Sequence, residues 1–140
     1  MKLDDAQKIV TTALATARAR NFKPLAVVVL DARGSLRALQ AEDGTSLKRA
    51  EIAIGKAHGC LAMGVGSRRL AAMAAERPYF LAAVTPAVGG CIPVAGGVLI
   101  KDGAGAVVGA VGVSGDTSDN DEIAALAGIE AVGLKGDTGA

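Results

Sequence analysis

The stretch GGVLIKDGAGAVVGAVGVSG, residues 96–115, decides the fold of this chain. Its two aliphatic halves flank a glycine-rich turn, a pattern that predicts the paired strands Gly97–Lys101 and Ala106–Val113. Nine of the 19 glycines lie between Gly89 and Gly115. Glycine adds little to strand packing and usually marks a place where another backbone or a ligand comes close. We therefore expect a binding site beside these strands.

Apolar periodicity around this stretch predicts helices and one further hairpin. The predicted helices are residues 3–20, 46–63, 67–77 and 119–134, and the predicted hairpin strands are residues 24–30 and 35–40. Residues 79–91 fit a helix or a strand equally well, and the tail, residues 135–140, is expected to be frayed. The resulting order is a helix, two strands, two helices, two or three strands and a final helix. This order favours an α/β (α+β) fold with an antiparallel sheet over a doubly wound parallel sheet.

The composition indicates a small domain with an aliphatic core. The 140 residues are 51% hydrophobic but only 2% aromatic, so Ala, Val, Leu and Ile must fill the core of a single domain, residues 1–134. Such a domain gains from burying more surface against copies of itself, and we expect a homo-oligomer. With a net charge of +1 and three aromatic residues, the chain lacks the basic surface and stacking platforms typical of nucleic-acid binding.

The sequence predicts a cytoplasmic protein with no membrane partner. No segment is long and apolar enough to span a bilayer, and the charged N-terminus does not resemble a secretory signal. Cys60 and Cys91 have no metal-ligand spacing. They are therefore predicted to be free thiols, as is usual in the cytosol.

His58, the only histidine, is the leading candidate for chemistry. It follows Lys56 on the predicted helix 46–63, at the edge of that helix's apolar stripe. An imidazole can ligate haem iron or act as a general base. A half-buried histidine that bonds to Glu51 or to a carbonyl is the structural alternative. The other side chains that could ligate haem iron are Tyr79, Cys60, Cys91 and Met63.

Two glycines on the same predicted helix face away from its apolar stripe. Gly55 and Gly59 are four residues apart, so both lie on one side of the helix. Two small residues at this spacing allow a second helix to approach closely. They indicate either a contact between subunits or small residues tolerated on a surface.

Candidate ligand contacts follow from the glycine-rich strands and the loop after them. Exposed backbone N–H groups and side-chain oxygens would meet there, next to a predicted helix start. The candidate ligand-binding residues are Lys56, His58, Gly89, Gly90, Gly97, Ser114, Gly115 and Asp116. In an enzyme, Lys56 or an arginine would hold a carboxylate, and His58 or an acid between Asp116 and Glu122, with Asp121 as the candidate, would move a proton. Close strand packing without any ligand is the alternative meaning of the glycines.

Opposite charges cluster in two segments. The cations are Lys48, Arg49, Lys56, Arg68 and Arg69, and the acids are Asp102, Asp116, Asp119, Asp121 and Glu122. A basic wall could hold haem propionates or the carboxylates of a small organic acid. Solvated faces or ion pairs are the more common meaning of such runs. Asp119 and Glu122 have the spacing of a helix cap, which accounts for them without a metal, and no metal site is predicted.

Several motifs, taken in order, resemble the GlcG/HbpS family, sometimes called haem-degrading-like. They are Pro24–Asp31 with Gly34, Glu42–Gly44, Ala53–Ala57, Gly89–Pro93, and Gly109–Gly115 with Asp121 and Glu122. The resemblance implies a profilin-like fold with a five-stranded antiparallel sheet, assembly into dimers or higher oligomers such as octamers, and haem binding in some members. Similar domains occur in PduO-type corrinoid adenosyltransferases and beside genes for organic-acid catabolism. The resemblance adds Glu42 and Asp43 to the candidate ligand-binding residues.

Two functions of different classes follow from these observations. The first is a small-molecule-binding protein of the GlcG/HbpS type, with haem or another tetrapyrrole as the candidate cofactor. The second is a cofactor-independent isomerase, tautomerase or hydrolase that acts on a small carboxylate. A purely structural partner of a larger enzyme is a third interpretation. The sequence does not decide whether His58 is a ligand, a base or a structural residue.

Overall fold

The computed structural model describes residues 1–140 as five helices and five strands. The helices are α1 (Leu3–Ala19), α2 (Arg49–Met63), α3 (Ser67–Glu76), α4 (Pro78–Ala87) and α5 (Ser118–Ala131), and the strands are β1 (Ala26–Asp31), β2 (Leu36–Ala41), β3 (Gly97–Lys101), β4 (Val107–Ser114) and β5 (Lys135–Asp137). The α+β fold with a five-stranded antiparallel sheet is confirmed. None of the helices combines the length and the apolar composition needed to span a membrane.

The strands form one sheet in the order β2-β1-β4-β3-β5, and every neighbouring pair is antiparallel. The central hairpin of β3 and β4 places Gly97 opposite Gly112. The sequence predicts a frayed tail after residue 134, but β5 lies there and pairs with β3. An ion pair of 2.5 Å between Lys101 and Asp137 fixes this strand. A three-residue strand has no recognisable period of its own, so only its partner strand reveals it.

The sheet separates two apolar layers, because alternate residues of each strand point to opposite faces. On one face, α1 and α5 pack against Val27, Val29 and Val111. On the other face, α2 packs against Ala26, Val28 and Leu99 through its own buried residues. Those residues are Ala53, Ala57 and Cys60, with Ala50, Ile54 and Leu61 partly buried, which is the stripe that the sequence predicts.

The segment that the sequence left open, residues 79–91, is helical over most of its length. Pro78 occupies the first turn of α4, where its missing N–H costs no hydrogen bond. Leu81 is the only residue of α4 that is buried, and it packs with Leu70 of α3 and with Cys91. The remainder of α4 is apolar but largely exposed.

The last helix starts with a cap that differs from the predicted one. The sequence predicts that Asp119 caps this helix, but Thr117 holds the cap position and its hydroxyl accepts a hydrogen bond from the N–H of Asn120. The helix begins one residue earlier than predicted. Asp119 instead lies in the first turn, where an acidic side chain favours the helix dipole.

Candidate functional site

His58 lies on the outer side of α2, half-buried, where two loops meet it. Its Nδ1 atom is 2.8 Å from the carbonyl oxygen of Gly90. Cβ atoms placed at Gly34 and Gly89 would lie 4.0 Å and 3.8 Å from its ring. The structure therefore brings three of the predicted residues together, namely His58, Gly89 and Gly90. The bond to a carbonyl is one of the two structural partners that the sequence offered for this ring; Glu51 instead lies 3.8 Å from Lys48.

Partly exposed aliphatic side chains lie on the same face of the sheet as α2, the helix that carries this histidine. Ile54 and Leu61 share its face of α2 and are partly buried against the sheet. Leu36 and Leu39 of the edge strand β2 pair with Leu30 and Val28, so they lie on the same face of the sheet as α2. Leu36 is 57% exposed. We call Leu36, Leu39, Ile54 and Leu61 the apolar shelf.

The segment Gly89–Val94, which we call the strap, crosses the back of α2 on the two glycines that the sequence singled out. A Cβ at Gly55 would lie 2.7 Å from the Ile92 side chain, and one at Gly59 would lie 2.8 Å from the sulfur of Cys91. The N–H of Ile92 also donates to the Gly55 carbonyl at 3.2 Å. The small residues therefore accommodate a segment of the same chain, and not the helix of another subunit.

Lys56 has a different role from the one predicted. Its side chain is 3% exposed, and its ammonium donates to Asp121 at 2.9 Å and to the carbonyl of Val113 at 2.9 Å. Asp121 also accepts a bond from the N–H of Asp116. Burial raises the pKa of Asp121, although the charge of Lys56 and its hydrogen bond act in the opposite direction. The two residues form a closed ion pair that neither a ligand nor a substrate reaches.

The glycines of the central strands make room for α2 and not for a ligand. A Cβ at Gly97 would lie 2.6 Å from the carbonyl oxygen of Lys56, and one at Gly112 would lie 1.9 Å from that of Ala53. Gly97 also exchanges two hydrogen bonds with the hydroxyl of Ser67. The sequence predicts a ligand against these strands, and at Gly97 and Gly112 the backbone of α2 occupies that space.

The loop after β4 is likewise held by the protein itself. Ser114 is 1% exposed and accepts a hydrogen bond from Arg49. A Cβ at Gly115 would lie 2.2 Å from the carbonyl oxygen of Pro24. Asp116 accepts hydrogen bonds from the backbone of Lys23 and Thr117 and from the side chain of Asn120, which together lower its pKa. Ser114, Gly115 and Asp116 thus close one end of the sheet.

The basic and acidic segments pair with one another. Arg68 of α3 contacts Asp119 at 2.6 Å and Glu122 at 3.0 Å, both on α5. Together with the Lys56–Asp121 pair, this joins two of the five cations to three of the five acids, while Lys48 and Arg69 pair instead with Glu51 and Glu76. The structure therefore supports the more common meaning of such charge runs and not a free basic wall.

Glu42 and Asp43 lie on the other face of the sheet from His58. Glu42 accepts a bond from the N–H of Leu25 at 2.8 Å and pairs with Arg18 at 2.9 Å. Arg18, Glu42 and Asp43 border an open cleft of about 460 Å³. Its lining residues are Leu14, Arg18, Pro24, Gln40, Ala41, Glu42 and Asp43. The structure thus does not place Glu42 and Asp43 in one site with His58.

The sequence reasoning missed the residues that complete the surroundings of His58. The sequence identifies Gly34 only as a turn residue, and it identifies Leu36 and Leu39 only as members of a predicted strand. The sequence predicts the strand β2, but it does not show that this strand lies at the sheet edge beside α2. The strap residues Cys91 and Ile92 had no local signal of this role.

Comparison with known proteins places this arrangement in a family. Solved structures with the same fold include the crystal structure of a PduOC:heme complex (TM-score 0.85, 21% identity, 96% of both chains covered). They also include HbpS (TM-score 0.83, 26% identity, 94% of this chain and 89% of that chain) and the Klebsiella pneumoniae protein ORFY (TM-score 0.84, 22% identity, 95% and 90%). No curated protein matches the sequence. The family profile described as haem degrading protein HbpS-like matches residues 1–130, and the chain therefore belongs to the HbpS-like family.

Proposed function

We propose that this protein binds haem and that Nε2 of His58 is the ligand to its iron. The observation that carries the proposal is the hydrogen bond between Nδ1 of His58 and the Gly90 carbonyl. A carbonyl oxygen only accepts hydrogen bonds, so Nδ1 carries the proton and the neutral ring keeps its lone pair on Nε2. This is the usual arrangement of histidines that bind metals.

The chemistry of the surrounding residues fits a haem group. Haem has apolar faces, and the apolar shelf offers partly exposed leucine and isoleucine side chains on the same face of the sheet as α2. A bound haem would supply an iron with redox chemistry, while the chain would supply the imidazole ligand and an apolar contact surface.

Two of the competing side-chain ligands, Cys60 and Cys91, are less suited to iron. Cys60 is fully buried, and desolvation raises the pKa of its thiol to about 12. Burial also raises the pKa of the Cys91 thiol. A thiol ligates metals as the thiolate, so both cysteines are poor ligands at neutral pH. His58 is half-buried with one ring nitrogen left over, which favours it among the candidates.

The comparisons with known proteins also support the proposal. A protein of the same fold has been crystallised in complex with haem, and the family profile carries a haem-related description. The isomerase, tautomerase or hydrolase alternative would use Lys56 to hold a substrate carboxylate and His58 or Asp121 to move a proton. Lys56 and Asp121 are buried against each other, so we do not adopt this alternative.

The test is a spectroscopic titration of the chain with haem. We expect a Soret band that saturates with haem, and we expect His58→Ala to shift that band and weaken binding at least about tenfold, because an axial ligand is lost. Glu51→Ala on the exposed side of α2 is the matched control and should bind like the unchanged protein. Added imidazole should restore the original band of His58→Ala. A chain that gives no band at stoichiometric haem does not have this function.

We also propose that the chain forms a homo-oligomer in the cytoplasm. Leu47 and Tyr79 are 88% and 72% exposed, and most of α4 is apolar and uncovered. Contact with a second copy would remove these side chains from water. We expect light scattering to give a mass that is a multiple of 13.9 kDa. A monomeric mass across the concentrations used for the haem titration would contradict this assembly.

A further inference from the structure

The strap connects α4 to β3 and is fixed at both of its ends. At its start, the N–H of Gly90 donates to the carbonyl of Thr85 in α4 at 3.0 Å. Further along, Ile92 bonds to Gly55 of α2, and Cys91 is 7% exposed in a small cluster with Leu70 and Leu81. Residue 90 therefore has a defined position relative to both α4 and α2.

We infer that the carbonyl of Gly90 is a positioning group for His58. Its effect on haem binding rests on the proposed function, whereas its effect on the imidazole ring does not. By accepting the Nδ1 proton, it selects one of the two neutral tautomers and fixes the rotation of the ring. Nε2 is then the free acceptor. Partners of this kind, which do not touch the metal, alter metal affinity by about 10- to 100-fold when they are changed.

The backbone conformation at residue 90 explains why a glycine occupies this position. Gly90 has φ +121°, a conformation that side chains other than glycine rarely adopt. A Cβ there would meet nothing within 4 Å. An alanine at this position therefore makes no clash with its neighbours but forces the backbone to a different φ, which turns the carbonyl away from His58.

The experiment is an NMR measurement of the imidazole nitrogens in the protein without haem. We expect the spectrum of the unchanged protein at mildly alkaline pH to show the Nδ1–H tautomer. In Gly90→Ala we expect a mixture of both tautomers. Gly103→Ala is the matched control, because Gly103 has open space around its Cβ position and no positive φ, and it should leave the tautomer unchanged. The result that overturns the inference is an unchanged protein whose His58 is protonated at Nε2, or a Gly90→Ala variant that folds and keeps the original tautomer.

A second variant changes the strap at its contact with α2. Gly59→Ala would place a methyl group 2.8 Å from the Cys91 sulfur, which should lift the strap without changing residue 90. We expect this variant to show the same mixture of tautomers as Gly90→Ala. If it folds and keeps the tautomer of the unchanged protein, then the strap does not position the ring. Should neither variant fold, the tautomer of the unchanged protein alone decides.

Haem titration of the same proteins separates this inference from the proposed function. We expect Gly90→Ala to bind haem about tenfold more weakly than Gly103→Ala. If none of the proteins binds haem but the tautomers behave as described, the proposed function fails and the positioning role stands. If haem binds equally to all of them while the tautomer changes, the Gly90 carbonyl does not affect the iron ligand and the inference fails for haem.

Discussion

We expect Lys56→Met to lower the free energy of unfolding by about 3–5 kcal/mol at neutral pH. The substitution removes the only cation in contact with the Asp121 carboxylate, which is 1% exposed. That carboxylate would keep one hydrogen bond, from the N–H of Asp116, and would face apolar side chains where the ammonium had been. Leaving one member of a buried ion pair without its partner costs far more than the pair contributes, because the remaining charge has lost its hydration.

The loss of unfolding free energy in Lys56→Met, which we call the deficit, should depend on pH. The burial of Asp121 determines the direction of this dependence. Burial already raises the pKa of Asp121, and the two largest of the three effects that oppose this come from Lys56. Without Lys56 the pKa of Asp121 rises further in the folded state. A carboxyl group whose pKa is higher in the folded than in the unfolded state stabilises the fold fully at a pH below its unfolded-state pKa. This stabilisation is lost as the pH rises through the folded-state pKa. The deficit should therefore shrink as the pH is lowered from about 7 to about 5.

Urea unfolding of a set of variants measures both effects. Lys56→Met with Asp121→Leu removes both charges and should recover most of the stability that the single change loses. The difference in unfolding free energy between this double variant and the unchanged protein should also vary less with pH than that of Lys56→Met. Asp119→Asn, at the surface end of the same helix, is the matched control and should cost less than about 1 kcal/mol. A Lys56→Met variant whose deficit is that small, or grows on acidification, would show that Asp121 is not a buried, charged partner of Lys56.

Local patterns in the sequence were sufficient for most of the fold. The β-branched run of β1 and the aliphatic halves of β3 and β4 predict these strands within two residues, because short apolar runs between turn residues are typical of buried strands. The apolar stripe of α2 is correct because its residues recur with the period of a helix. The tail was not predicted, since β5 exists only through its pairing with β3. Residues 79–91 were ambiguous, because α4 is apolar on nearly every side and so has no helical period.

The site could be predicted only in part, because its contacts join distant parts of the chain. His58 was singled out by its chemistry, but its bond to Gly90 spans 32 residues. The sequence paired Lys56 and Asp121 as catalytic groups, whereas they bind each other across 65 residues. The glycines were correctly associated with a close approach. What approaches them, a helix backbone, depends on how α2 crosses the sheet, and no local pattern contains that information.

We expect Gly112→Ala to destabilise the protein by about 3 kcal/mol or more, because the added methyl group would overlap the backbone of α2. The added methyl group would lie 1.9 Å from the carbonyl oxygen of Ala53, far inside any permitted contact. That oxygen belongs to the helix backbone, so no side-chain rotation relieves the overlap. The helix must shift as a body, and the whole layer of buried residues between α2 and the sheet would open with it.

Thermal and urea unfolding of Gly112→Ala should be compared with Gly103→Ala, which adds the same methyl group in the exposed turn between β3 and β4. The control should change stability by no more than about 0.5 kcal/mol. Ala57→Gly added to Gly112→Ala should give no rescue, although the Ala57 methyl is only 3.1 Å from the new one, because the overlap with the Ala53 oxygen remains. Rescue by Ala57→Gly would mean that side chains, and not the backbone of α2, fill the space above Gly112. A stable Gly112→Ala variant would show that this space is empty, and the glycine-rich strands would again be the place to look for a ligand.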